Sequence, residues 1–62
     1  MIKITIQFIG SDQNYTIVEV KKNEYENFID WLNNKSDNVF KFAQDRGDIF
    51  VLRNAIAFII VN

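Results

Sequence analysis

Neither cysteine nor histidine occurs anywhere in this 62-residue chain. A domain of that length buries only about 60% of the surface its unfolded chain exposes, and small domains usually lean on disulfides, metals or partner chains. The missing cysteines remove disulfides, and with histidine they are the commonest soft metal ligands. Tight packing and self-association are the means that remain. The raw material for packing is present: 48% of the residues are hydrophobic, including six Phe, two Tyr and one Trp. That places the chain outside the disordered class and gives much apolar area per residue. Residues 1–62 make one domain.

Strands are written in alternation. In residues 2–9, Ile2, Ile4, Ile6 and Phe8 share one face, and Lys3, Thr5 and Gln7 the other. Gly10 to Asn14 is turn chemistry, after which Thr16, Val18 and Val20 resume the pattern over 15–21. A hairpin with a longer loop is expected.

A helix follows over 24–34. Asn23 is its expected N-cap, with Glu26 three residues later as in a capping box. At about 100° per residue, Tyr25, Phe28, Ile29 and Leu32 form an apolar stripe with Trp31 beside it, opposite Glu26 and Asp30.

Residues 39–43 and 49–53 read as two more strands around a turn over 44–48. Residues 56–61 are apolar on both faces, which predicts a last strand buried on both sides and paired centrally. Whether 49–61 is one bent strand or two stays open. The fold class is α+β: a small ββαββ(β) domain, an antiparallel sheet with one helix packed on one face.

One helix covers one sheet face, so the other face should be polar. Ile9, Tyr15 and Ile17 break that rule by falling out of phase, and the last strand carries bulk on both sides. Either bulges and twist sweep these groups into one core, or the open face or last strand mates with another chain. The second reading is preferred.

Catalysis has little to work with. Ser11 and Ser36 lie in polar turns with no His as base. Glu26 and Asp30 share a helix face, but a solvated face provides no cleft for acid–base work. As a strip, the two carboxylates suit a basic protein surface instead. No phosphate loop, metal set or cofactor motif is present. Trp31, at the edge of its stripe, is a core-rim residue or a binding hot spot.

Arg46-Gly47-Asp48 matches an integrin-type tripeptide but fits a hairpin turn that uses glycine. Asn14-Tyr15-Thr16 and Asn34-Lys35-Ser36 match a glycosylation pattern without a secretory leader, since Met1-Ile2-Lys3-Ile4 enters a strand directly. The longest apolar run, 55–61, is far short of the ~20 residues of a membrane span. A cytoplasmic, soluble protein is expected. With a net charge of −1 and a pI near 5.1, the basic footprint of a nucleic-acid binder is missing. Aromatics on strands keep that function as the alternative.

The stretch from Val51 to Val61, with Arg53-Asn54-Ala55 at its turn, resembles the second Sm motif of bacterial Sm-like RNA chaperones. The resemblance is to a strand–turn–strand device; the family's His is missing, its helix precedes its strands, and RNA binding is not carried over. The whole chain resembles, in style, small accessory proteins of phages and prophages of low-G+C Gram-positive bacteria: a hairpin, a helix with a Trp31-Leu32 pair, and a final apolar strand. That resemblance implies proteins that bind and modulate other proteins. The expected function is therefore a non-enzymatic protein-interaction module, self-associating as a homo-oligomer. Its partner-binding residues are expected among Trp31, Tyr15, Ile17, Glu26 and Asp30.

Overall fold

The computed structural model describes residues 1–34 and 37–62. Lys35 and Ser36, and with them the second glycosylation-type tripeptide, lie outside the described residues. The elements run β1 (Ile2–Phe8), β2 (Tyr15–Val20), α1 (Lys22–Asn33), β3 (Val39–Gln44), β4 (Gly47–Leu52), a 3-10 turn (Arg53–Ala55) and β5 (Ile56–Val61). This is the expected α+β order, with every strand pair antiparallel. The strands divide into two sheets: three strands in the order β2-β1-β5, and the β3-β4 hairpin.

The alternation of β1 and β2 explains the core. Ile4 and Ile6 from β1, and Val18 and Val20 from β2, point to one side of the larger sheet. Phe28 and Trp31 from α1, Phe42 from β3 and Val51 from β4 meet them there. Helix and hairpin thus share the task of covering one sheet face, and among the described residues no polar side chain is buried. Burial of that apolar area is the main force holding so small a domain together.

The last strand departs from expectation. β5 pairs with β1 alone and is an edge strand, not a central one. Its register slips by one: Gln7 faces Phe58, whereas Phe8 faces Ile56, leaving Ala57 as an extra residue. That bulge lets Ile56 and Ile59, three apart, both turn toward the core. Phe58, Ile60 and Val61 stay exposed. The unbroken apolar run therefore encodes one bulged strand with one covered face. The stretch 49–61 is two strands, broken at Arg53–Ala55.

The helix begins two residues earlier than its cap signal suggested. Lys21 is the N-cap, and its backbone N–H donates to Glu24 Oε1 at 3.2 Å. Lys21 offers no side-chain acceptor, so only this half of a capping box forms. β2 ends at Val20, one residue before, and the short connection overrides the better capping chemistry of Asn23. The buried stripe is also rotated: Phe28 and Trp31 are buried, while Tyr25, Ile29 and Leu32 are half-buried.

At the β3-β4 turn, Gln44 pairs with Gly47 around Asp45 and Arg46. Gly47 has φ +128°, which disfavours any residue with a Cβ. The integrin-like tripeptide is the end of this turn and the first two residues of β4.

Candidate functional site

Cross-strand partners share a sheet face, so the registers of β1 fix what lies on the uncovered side. One row reads Tyr15, Gln7, Phe58; the next reads Ile17, Thr5, Ile60. A third holds Glu19 and Lys3, with Asn62 beyond β5 joined to Lys3 through backbone bonds of 3.3 and 2.9 Å. The apolar members are open to solvent: Tyr15 is 52% exposed, Ile17 45%, Phe58 54% and Ile60 49%. The outer face is thus two apolar flanks on β2 and β5, separated by a polar centre on β1. Gln7 is half-buried, and its Nε2 donates to the loop carbonyls of Ser11 at 3.1 Å and Asn14 at 3.2 Å. The same loop uses Asn14: its Nδ2 donates to the Ile9 carbonyl at 3.2 Å, a structural role for the first glycosylation-type asparagine.

The hairpin repeats the pattern on its own outer side. Val39 faces Leu52 and Lys41 faces Phe50, and Val39, Leu52 and Phe50 are exposed.

The sequence-derived site residues do not form one surface. Tyr15 and Ile17 sit together on the outer sheet face. Glu26 and Asp30 are exposed on α1, which covers the opposite face. Trp31 is only 8% exposed. Its ring lies 5.8 Å from that of Phe28 and 5.4 Å from that of Phe40, within the favourable range for aromatic pairs. Its indole N–H donates to the Asp37 carbonyl at 3.0 Å.

Arg53 seals this cluster. Its guanidinium carbon lies 4.4 Å from the Trp31 ring centroid. Nη1 donates to the Leu32 carbonyl at 3.0 Å, and Nη2 to the carbonyls of Asn34 at 2.6 Å and Asp37 at 2.8 Å. A cation at a helix C-terminus both satisfies free carbonyls and opposes the negative end of the dipole. The sequence pattern marks Arg53 only as part of a turn, because its partners lie 16 to 21 positions away and leave no local signal. It also left Phe58 and Ile60 out of the site, since their side of the strand depends on the bulge.

An open groove of about 470 Å³ separates the β2 edge from the hairpin tip, with Ile17, Glu19, Gln44 and Arg46 among its walls. Among the described residues no three Asp or Glu gather as metal ligands would. No described helix is long and apolar enough to cross a membrane. No protein-family model, curated protein or solved structure matches the chain.

Proposed function

We propose that this chain is a non-enzymatic protein-interaction module that self-associates and modulates a partner protein by covering its surface. The observation that carries the reading is the outer face of the β2-β1-β5 sheet, where Tyr15, Ile17, Phe58 and Ile60 are each about half exposed. The helix lies on the opposite side of the sheet, and the hairpin tip approaches only the β2 edge, across the groove it shares with Ile17 and Glu19. Exposed apolar groups clustered on one face mark interaction surfaces, and aromatics dominate their energetics; here they form two flanks either side of the polar β1 row. The phage-type resemblance points the same way. A cytoplasmic location suits a small domain without the cysteines that secreted domains of its size use.

Sedimentation equilibrium over a wide concentration range tests the proposal. Wild type should pass from a 7.3-kDa monomer to a larger species. The double variant Ile17→Lys, Phe58→Lys should stay monomeric with an unchanged fold. A wild type that is monomeric throughout defeats the self-association.

Nucleic-acid binding is the second reading, favoured by one observation: Tyr15 and Phe58 flank Gln7 on an open sheet face, as stacking platforms do. Lys3 is the single cation of the three rows, and Glu19 opposite offsets it. Oligonucleotide binding that weakens steeply with salt would favour this reading over the first.

A further inference from the structure

The two edges of the larger sheet are finished differently. In an antiparallel ladder, mutually bonded pairs alternate with unbonded ones. Lys3 and Asn62 exchange both bonds, so Thr5 and Ile60, two steps along the register, form the next such pair. The N–H and C=O groups of Ile59 and Val61 therefore aim away from β1. Among the described residues these two donors and two acceptors meet no strand.

Exposed edges normally carry a charge, a proline or a glycine that discourages pairing. Residues 55–61 contain none of these. At the β2 edge the outward groups belong to Tyr15, Ile17 and Glu19. There the Glu19 carbonyl accepts the Gln44 side-chain amide at 3.4 Å, the Glu19 carboxylate adds charge, and Lys21 and Lys22 follow.

We infer that the β5 edge takes a second copy of this chain, antiparallel about a two-fold axis, giving a six-stranded sheet ordered β2-β1-β5-β5-β1-β2. The inference rests on the self-association proposed above and specifies how it occurs. The register that uses all four free groups sets Ile59 opposite the partner's Val61 and Ile60 opposite its own copy. Residues 55–61 carry no charged side chain, so two copies meet there without like-charge repulsion between side chains. Phe58 and Ile60 of both copies then lie beside the axis, joining two apolar flanks into one. A two-fold axis uses the same edge of both copies, so pairing there closes at two chains and forms no fibre. A stable interface takes roughly 800 Å² from each partner, a modest share of a surface of 4571 Å². In that register only residues 58–62 lie opposite partner residues; this supplies only part of that area, so the dimer is weak and concentration-dependent.

Two variants test the mode. The chain has no cysteine of its own, so Ile60→Cys provides a sole thiol. In the inferred register it faces its own copy at an unbonded pair, where Cβ atoms lie about 4.5–5.5 Å apart, near the separation a disulfide spans. Under mild oxidation Ile60→Cys should cross-link to a dimer, while Tyr15→Cys on the far strand should stay monomeric. Val61→Pro removes an outward N–H and no bond to β1. It should abolish the dimer while keeping the melting temperature of the wild-type monomer. If wild type dimerises but Val61→Pro dimerises equally, or Tyr15→Cys cross-links as readily as Ile60→Cys, edge pairing is wrong and self-association stands. A wild type that never dimerises overturns both.

Discussion

The Trp31–Arg53 corner and the outer face of the larger sheet are both rich in aromatic and apolar side chains, yet they are finished in opposite ways. At the corner the indole N–H has a carbonyl, the guanidinium has three, and the rings of Phe28, Phe40 and Phe42 close around one another at centroid distances of 4.9–5.3 Å. On the outer face Tyr15, Ile17, Phe58 and Ile60 have water where a partner could be. Polar connections seal the first of these regions and not the second. The sealed one holds the fold, and the unsealed one is where an interaction would cost least to make.

Substitutions can break that contrast. Trp31→Ala should lose about 3–5 kcal/mol of stability. A domain of this size has on the order of 3–9 kcal/mol in total, so thermal denaturation should show a large fall in melting temperature. Weakened partner binding with an unaltered melting curve would instead move Trp31 to the open side of the comparison. Arg53→Ala should cost about 1.5–3 kcal/mol, the range for bonds to a charged donor. Arg53→Lys should recover only part of it, because an ammonium cannot fork to three carbonyls over an indole face. Urea titration of the three proteins gives the ranking.

Glu24→Ala is expected to cost about 0.3–1 kcal/mol by removing the first-turn carboxylate; added salt should shrink the difference between the two melting curves. Phe58→Lys should shift monomer stability by less than about 0.5 kcal/mol, as exposed positions do, while removing the concentration dependence of sedimentation. A large stability loss there would show that the outer face belongs to the fold after all.

The alternation of β1 and β2 was legible because one covered face imposes a period of two; Ile4, Ile6, Val18 and Val20 needed nothing else. The exposed positions of Tyr15 and Ile17 followed from the same phase. Residues 56–61 were not legible in this way. Periodicity cannot register a bulge, so Ile56 and Ile59 looked like opposite faces of a doubly buried strand. The helix start was mistaken because Asn23 caps better than Lys21 in isolation, and only the one-residue link from β2 shows why the chain turns sooner. Arg53 was invisible for a plainer reason: its contacts are all long in sequence. Glu26 and Asp30 were correctly seen as solvated, but sequence could not show that they lie on the other side of the molecule from Tyr15.

Because Arg53 reaches back to Leu32, Asn34 and Asp37, the order of synthesis matters. A nascent chain that has emerged only as far as β3 still presents those carbonyls to water and Trp31 without its lid. The element that finishes the helix is made some twenty residues later, in the turn that launches β5. Any fragment ending at Leu52 should therefore lack a closed helix terminus as well as its third sheet strand.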